Sequence, residues 1–289
     1  MTPAALRAFI EAHPAAVAAE LTAVKGSSPR ASGTFMLISP DAMIGTIGGG
    51  ALEYMVIDRA REVLRDGLPD DSLDIPLGPE IGQCCGGRVE IALRVVDDAL
   101  AARLIAQAEA EDAARPPVFV FGAGHVGRAL AAALAPLPLR TTIVDTRPDE
   151  LRGLPAAIET KAVAMPEAVV RSAPKSSSYV ILTHDHALDF LIAAEALRRR
   201  DAPYIGMVGS RTKRAKFRSW YIGEGGDPAD LDRLILPIGA FGKSKPLGDK
   251  RPEVIAALAA AEILVHIGRG EASMMRVPGS RIGLGAAVD

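Results

Sequence analysis

The chain has 289 residues, of which 49% are hydrophobic and 24% are charged, so it holds enough apolar surface to fold and is not intrinsically disordered. This length predicts two domains, or one large one. The formal net charge of -2 and the aromatic content of 4% argue against a nucleic-acid partner, because nucleic-acid binders carry a basic excess and single strands stack on aromatic rings.

The location of the protein follows from its apolar segments and its cysteines. No stretch approaches about 18 uninterrupted apolar residues, so we expect no membrane-spanning helix and no membrane partner. The first residues carry Arg7 and Glu11 within their apolar run and lack the layout of a signal peptide. Cys84 and Cys85 are adjacent and cannot form a conventional disulfide. Together these features predict a reduced, soluble, cytoplasmic protein.

Residues 1–114 mix helix and strand signals and are predicted to form an α+β domain of undetermined topology. Strands are predicted at 17–24, 34–39 and 88–96, a strand and turn at 42–50, and helices at 3–11, 51–65 and 98–114. Arg115-Pro116-Pro117 ends the last helix, so we place the domain boundary there.

From residue 115 the chain alternates short apolar strands with helices. The strands are predicted at 118–121, 141–145, 179–183, 204–208 and 234–238, and the later helices at 187–200, 211–222 and 252–265. This alternation is typical of parallel βαβ units. We therefore predict an α/β chain whose second domain, 115–267, is a Rossmann-like doubly wound parallel sheet, followed by a flexible tail at 268–289.

The most specific local signal is a glycine-rich turn between a predicted strand and a predicted helix. Gly122 permits a tight turn, Gly124 lets a ligand approach the backbone, and Gly127 allows the helix to pack closely on the strand. Asp145 ends the next strand, where an acid that binds a ribose normally lies. The pattern predicts a phosphate ligand at the helix N-terminus. The alternative is a turn kept for packing, with another phosphate ligand or none.

Histidine and aspartate side chains also follow the predicted strands. His125 lies inside the glycine loop, and His184, Asp185 and His186 follow the strand at 179–183. Because ligands of such sheets bind at the carboxyl ends of the strands, these groups are expected to line one cleft. The three histidines could supply zinc ligands. The alternative makes His184 a loop anchor held by backbone hydrogen bonds and His186 a residue of the first helical turn.

A second glycine cluster precedes the predicted helix at 51–65. Gly48, Gly49 and Gly50 would form an anion-binding nest with no Cβ to obstruct a ligand. Ser28 and Arg30 could add a hydroxyl and a guanidinium donor for a phosphate. The alternative is a long surface turn.

Two further features carry reactive or charged groups. Cys84 and Cys85 lie in a glycine-flanked turn, where a thiol near solvent could bind a soft metal; the alternative is a buried, inert pair. Residues 198–218 hold eight basic side chains and one acid. Arg211 follows a strand end and could close over the cleft, whereas the rest of the run is expected to be a solvated helix face.

Seven motifs in order along the chain resemble the XdhC/CoxI family of xanthine dehydrogenase accessory proteins. They are GSSPR (26–30), GTIGGGALE (45–53), CCGG (84–87), GAGHVGRAL (122–130), VDTR (144–147), LTHDHALD (182–189) and YIGMVGSRTK (204–213). The resemblance covers residues 17–265, and its specificity comes from the order of the seven motifs.

The resemblance implies a cytoplasmic chaperone for the molybdenum cofactor in its molybdopterin form. Such a protein protects the cofactor, presents it to a cysteine desulfurase for sulfuration, inserts it into apo xanthine dehydrogenase, and is commonly a homodimer. On this view both glycine loops would grip the terminal phosphate. Cys85, with Cys84 beside it, would lie near the molybdenum, and His125, His184 and Asp185 would line the cleft.

Two other functions stay open from the residues alone. An NAD-dependent oxidoreductase would use the glycine turn and Asp145 for the dinucleotide, with His184 or His125 as its acid–base group. A sulfurtransferase would carry a persulfide on Cys85. The sequence favours an accessory protein over an enzyme, because it shows no complete catalytic dyad and because the dehydrogenase leaves the motifs at 45–50 and 84–87 without a role.

Overall fold

The structure, a computed structural model, describes residues 1–28, 30–79, 86–239 and 249–274. The chain divides into two compact units, Met1–Ala114 (unit 1) and Arg115–Asp289 (unit 2). Among the described residues, no helix has both the length and the apolar character needed to cross a bilayer.

Unit 1 is built on one antiparallel sheet. Its strands are β1 (Val17–Lys25), β2 (Phe35–Ile38), β3 (Met43–Gly45), β4 (Asp70–Pro76) and β5 (Arg88–Val95). Its helices are α1 (Pro3–Ala12), α2 (Ala51–Asp66) and α3 (Asp98–Ala113). The strands lie in the order β3-β2-β1-β5-β4, and every neighbouring pair is antiparallel.

Helices cover both faces of this sheet because its strands are apolar on successive residues that point to opposite sides. Val17 and Leu21 of β1 belong to the cluster that contains Val56 of α2. Ala18 of the same strand belongs to a separate cluster with Leu104 of α3. Unit 1 therefore has three layers, which confirms the predicted α+β domain.

Three connections leave the same end of this sheet. Lys25 at the end of β1 pairs with Arg88 at the start of β5, so the segment after β1 and the β4–β5 connection lie at one end. β3 runs antiparallel to β2, and β2 runs antiparallel to β1, so the segment after Gly45 leaves from that end as well. The topology thus places the described residues of the GSSPR and GTIGGG segments, together with Gly86 and Gly87, at one end of unit 1.

Unit 2 contains a six-stranded parallel sheet. Its strands are β6 (Pro117–Phe121), β7 (Arg140–Asp145), β8 (Glu159–Ala162), β9 (Ser178–Ile181), β10 (Ile205–Met207) and β11 (Leu234–Ile235). They lie in the order β11-β10-β9-β6-β7-β8, so the direction of winding reverses between β6 and β9. This order is that of the doubly wound dinucleotide-binding sheet, and it confirms the predicted fold class.

The helices of unit 2 lie on both faces of the sheet. They are α4 (His125–Leu134), α5 (Pro166–Ser172), α6 (His186–Arg198), α7 (Arg211–Gly223) and α8 (Pro252–Met274). Leu130 of α4 and Ile263 of α8 share one apolar cluster, whereas Val170 of α5, Ile192 of α6 and Phe217 of α7 share another.

Five elements differ from the sequence prediction by more than two residues, and one of them is β11, which ends at Ile235 and not at residue 238. β4, β8 and α5 were not predicted, and α8 continues past its predicted end at residue 265 to Met274, into the segment predicted as a tail. All four side chains of β8 are exposed, so this edge strand has no apolar alternation that the sequence could show. The helix α5 has only 7 residues, which is too short for a clear helical period.

Candidate functional site

The crevice of unit 2 opens where the loop after β6 meets the loop after β9. A Cβ atom at Gly122 would lie 2.5 Å from the carbonyl oxygen of Leu182, so the two loops touch at this point. Gly122 also has a φ of 111°, a conformation that favours glycine. Ligands of such sheets bind outside the carboxyl ends of the strands at this reversal.

The fold requires glycine at two of the three glycine positions of the turn, and a ligand could require it at the third. A Cβ at Gly127 would lie 2.0 Å from the carbonyl oxygen of Gly122, so a side chain there is sterically excluded. A Cβ at Gly124 would meet no protein atom within 4 Å, and its φ of -69° suits any residue. The fold therefore requires Gly122 and Gly127 but not Gly124. The open space at Gly124 is what a ligand that approaches the backbone needs.

The N-terminus of α4 points into this open space. Gly124 is the N-cap residue, and no side chain caps the helix. Within the described ranges, the N–H groups of His125, Val126 and Gly127 find no acceptor, as is usual for a first helical turn without a cap. These donors and the helix dipole favour an anion such as a phosphate.

The carboxylate of Asp145 is hydrogen-bonded to the glycine loop. Its Oδ2 accepts hydrogen bonds from the N–H of Ala123 at 2.8 Å and from Nη2 of Arg147 at 3.2 Å. Its Oδ1 accepts from the N–H of Arg147 at 2.9 Å and from Nε at 3.1 Å. The side chain is only 3% exposed. Both carboxylate oxygens are therefore occupied by groups of the chain itself.

This arrangement changes the expected role of Asp145. Burial alone would raise the pKa of Asp145, but the hydrogen bonds from Arg147 and from the N–H of Ala123 hold the pKa below its usual value. The carboxylate is ionised and fully bonded, so it offers no free lone pair to a ribose diol. The predicted ribose-binding acid is a support of the loop in this structure.

The histidines of the crevice do not form a metal cluster. In the part of the chain that the structure describes, no group of three or more His, Cys, Asp or Glu side chains is placed to hold a metal ion. His125, His184 and His186 are exposed at the carboxyl edge, and the zinc site that they could have formed is not present. Asp185 is the N-cap of α6 and accepts from the N–H of Ala187 at 2.8 Å.

A buried ion pair that was not predicted from the sequence connects two loops of this edge. Lys213 of α7 donates to Oδ2 of Asp189 and, at 2.9 Å, to the carbonyl oxygen of Val208. Oδ1 of Asp189 accepts from the N–H and the hydroxyl of Thr183 at 3.0 and 2.7 Å. The pair therefore joins the loop after β9 to the loop after β10. Arg211 begins α7 on the same edge and is exposed.

In unit 1, the predicted anion nest is partly filled by an acid of the chain. Oε1 of Glu53 accepts hydrogen bonds from the hydroxyl of Thr46 and from the N–H groups of Ile47 and Gly48, the latter two at 3.0 and 3.3 Å. Burial alone would raise the pKa of Glu53, but these donors hold it below its usual value. The contact resembles a capping box, with the acid in the first turn of α2.

The space beside Gly49 and Gly50 in that loop is open. A Cβ at either position would meet no atom within 4 Å. Glu53 already uses the N–H of Gly48, and a hydrogen bond from the N–H of Gly49 also lowers the pKa of Glu53, so an external anion at this loop stays a prediction that concerns Gly50. Ser28 accepts the N–H of Arg30 at 3.4 Å, a local turn contact.

The end of unit 1 from which the segments after β1 and β3 leave also contains a polar pocket of about 390 Å³. Its polar lining includes Arg30, Thr34, Thr46, Gln107 and Glu111. Arg30 contributes a guanidinium to this lining, and within the described residues no carboxylate lies within 4.0 Å of it.

The two cysteines lie outside the described residues. The described chain stops at residue 79 and resumes at Gly86, whose N–H donates to the carbonyl oxygen of Leu77 at 2.8 Å. A Cβ at Gly87 would lie 2.0 Å from the carbonyl oxygen of Ser27. The glycines that follow Cys84 and Cys85 therefore pack directly on the GSSPR segment.

Comparisons with known proteins match both units. The family model described as XdhC Rossmann domain matches residues 118–263, and the one described as XdhC and CoxI family matches residues 9–73. The chain is 24% identical over 270 residues to the Uncharacterized protein YqeB of Escherichia coli (strain K12). That match covers 90% of this chain and 45% of the relative, so the chain spans less than half of the relative's length.

A solved structure shares the fold. It is a crystal structure described as a xanthine dehydrogenase from Bacillus halodurans, with a TM-score of 0.75 and 19% identity. The match covers 96% of this chain and 98% of that chain. At this identity the likeness concerns the fold and carries no statement about activity.

Substitution of two glycines tests whether the fold or a ligand requires them. We expect Gly127→Ala to lower the free energy of unfolding by about 2–3 kcal/mol, because the new Cβ collides with the carbonyl group of Gly122. Gly124→Val should lower it by no more than about 1 kcal/mol, because its Cβ enters open space and only the lower preference of valine for the N-cap position remains. Urea unfolding at pH 7 measures both. Equal losses at the two positions would contradict this assignment.

The pH dependence of stability tests the bonding of Asp145. A carboxyl group with a lowered folded-state pKa stabilises the protein above its unfolded pKa of about 3.9, and this contribution is lost as the pH falls through the folded pKa. Asp145→Asn should therefore lower the free energy of unfolding by about 2–3 kcal/mol at pH 7 and flatten its decline below about pH 4.

The matched control is Asp149→Asn, whose carboxylate is 81% exposed and pairs only at the surface with Arg152. This variant should stay within about 0.5 kcal/mol of the parent. An Asp145→Asn protein that is as stable as the control variant at pH 7 would show that the carboxylate does not support the loop.

Proposed function

The chain belongs to the XdhC and CoxI family, and we propose from that premise that it carries the molybdenum cofactor to xanthine dehydrogenase. The family is associated with maturation of this cofactor. In the proposal, the chain binds the molybdopterin form as cargo, protects it, presents it to a cysteine desulfurase for sulfuration, and transfers it to the apoenzyme. A homodimer is the proposed assembly.

The observation that carries this proposal is the open N-terminus of α4 at Gly124. Molybdopterin ends in a phosphate group, and uncapped N–H donors at a helix N-terminus bind such a group. Gly124 leaves room for it, since a Cβ there would fill space that the chain does not use. The N–H groups of His125 and Val126 are the proposed donors.

The bonding of Asp145 favours molybdopterin over a dinucleotide. A bound NAD molecule would place a ribose diol at the end of β7, where an acid normally accepts its hydrogen bonds. Here Arg147 and the N–H of Ala123 use the lone pairs of Asp145. Molybdopterin has a phosphate and no ribose, so it makes no demand on this carboxylate. The NAD-dependent oxidoreductase therefore fits this edge of the sheet less well.

The remaining site residues are assigned by their positions. His125, His184 and Arg211 are exposed at the carboxyl edge of unit 2, where they can approach a ligand of the crevice. Arg30 in unit 1 supplies a cation in a polar pocket. Cys85 is proposed as the soft ligand near the molybdenum, with Cys84 beside it, because a thiolate suits a sulfur-rich metal centre. The two thiols lie outside the described residues, so this role rests on the sequence.

A carrier of this kind needs groups that bind the cofactor but no catalytic groups. Transfer of an intact cofactor between two proteins breaks no bond within the cofactor, so the carrier needs donors and a protected site but no acid–base pair. The chain is accordingly proposed as an accessory protein and not as an enzyme with turnover of its own.

Cofactor content after expression in a molybdenum-replete host tests this function. Molybdenum is measured by mass spectrometry, and pterin by the fluorescence of its oxidised form. We expect the wild-type chain to retain both. Gly124→Val should lower the retained amounts at least about tenfold, because the new side chain occupies the phosphate position and the lost charge-assisted hydrogen bonds are each worth about 1.5–3 kcal/mol.

The matched control is Gly223→Val at the end of α7. A Cβ at Gly223 also meets no atom within 4 Å, but this glycine lies at the opposite end of its helix from the carboxyl edge of the sheet. It should retain as much molybdenum and pterin as the parent. If the wild-type chain retains neither molybdenum nor pterin and its melting temperature rises with NAD, the proposed function is wrong and an oxidoreductase takes its place.

A further inference from the structure

Helix α7 presents a strongly basic face to solvent. Its buried residues are Lys213, Phe217 and Tyr221, which recur at intervals of four and fix the orientation of the helix. The exposed side carries the four remaining basic residues of the helix, here called the basic face: Arg211, Arg214 and Arg218 toward one flank of the buried side and Lys216 toward the other. The four lie within eight residues, so they span about 10 Å along the helix axis.

These cations have no anionic partners in the described ranges of the chain. None of the four has a carboxylate within 4.0 Å, and Arg214 donates only to the carbonyl oxygen of Leu236 at 3.0 Å. Other exposed arginines of unit 2 do have such partners. Arg198 pairs with Glu195 at 3.0 Å, for example, and Arg251 pairs with Asp249 at 2.6 Å. The absence of acids at α7 is thus a local property.

The charge of α7 opposes its own helix dipole. Cations near a helix N-terminus are unfavourable by about 0.3–1 kcal/mol each. Of the seven other helices given above, α2, α3, α5, α6 and α8 hold an acid in the first turn, whereas α1 and α4 do not. The first turn of α7 has none and begins with Arg211. An anion near Arg211 would offset this cost, which is confined to the first turn.

The position of the basic face connects it with the candidate site. α7 begins directly after β10, at the carboxyl edge of the sheet that also carries the glycine loop. The ion pair between Lys213 and Asp189 joins this start of α7 to the loop after β9. A protein that receives a ligand from the crevice has to approach this edge.

We propose that the basic face of α7 is the docking surface for an acidic patch on the protein that receives the cargo. The inference rests on the proposed function and adds the surface and the charge of the partner. Charges at the edge of an interface chiefly accelerate association and orient the partner. A lipid surface is disfavoured because Ile222 is the only large apolar side chain exposed on the described α7. A nucleic acid is disfavoured by the net charge of -2.

Charge reversal tests the proposal without touching residues of the candidate site. The test variant is Lys216→Glu with Arg218→Glu. The matched control is Lys161→Glu with Lys175→Glu, two exposed lysines of unit 2 outside α7, which changes the net charge by the same amount. Association of each full-length chain with immobilised apo xanthine dehydrogenase is followed at about 50 mM and about 500 mM salt, where screening is weak and strong.

We expect the Lys216/Arg218 variant to associate at least about tenfold more slowly than the parent at low salt, with a smaller difference at high salt. The control should stay within about twofold of the parent. Both variants should retain as much molybdenum and pterin as the parent. Slower association at unchanged cofactor content separates a docking role from a structural one.

Three results would overturn the inference. The first is equal association rates for the two variants, and the second is no association of the parent chain with the apoenzyme. The third is that the parent chain binds phosphatidylserine vesicles or a DNA duplex more strongly than the apoenzyme, and that only the Lys216/Arg218 variant loses this binding. The proposed function fails separately, when the parent chain retains neither molybdenum nor pterin.

Discussion

The carboxylate of Asp145 holds the glycine loop of unit 2, and the candidate site depends on this contact. One of its oxygens accepts the N–H of Ala123 inside the loop, while Arg147 neutralises its charge. A buried carboxylate without such partners would be costly, so the loop and the acid fix each other. The N-terminus of α4 is then left open at Gly124, and in the proposed function Asp145 offers no free lone pair to a ribose diol.

Unit 1 repeats this relation between an acid and a glycine loop. Glu53 accepts the N–H groups of Ile47 and Gly48, much as Asp145 accepts that of Ala123. A glycine-rich segment before a helix is therefore not by itself a free anion site, because an acid of the chain can use its donors. What distinguishes the loop at Gly124 is that the first turn of α4 carries no acid that could use these donors, whereas the first turn of α2 carries Glu53.

Much of the fold could be predicted from the sequence because it depends on local patterns. The alternation of apolar strands and helices after residue 115 predicted the parallel sheet, and the spacing of Gly122, Gly124 and Gly127 predicted the turn and the start of α4. β8 escaped prediction because its side chains are all exposed and show no period. The predicted resemblance to the XdhC/CoxI family is confirmed.

The chemistry of the site was less predictable because it depends on pairs that are distant in sequence. Asp145 was placed correctly at the end of a strand, but its partner Ala123 lies 22 residues away. Asp189 and Lys213 are separated by 24 residues. Two signals were available nonetheless. Glu53 stands in the first turn of a helix, where capping acids occur, and Lys213 shares the apolar face of α7 with Phe217.

Binding of two oxidised pterins that differ only in the terminal phosphate measures the central claim most directly. We predict that the phosphorylated pterin binds with a Kd at least about tenfold lower than that of the dephosphorylated one, because the phosphate binds the N–H groups at the start of α4. We also predict that NAD does not displace it. Equal affinities for the two pterins, or displacement by NAD at low concentration, would contradict the account.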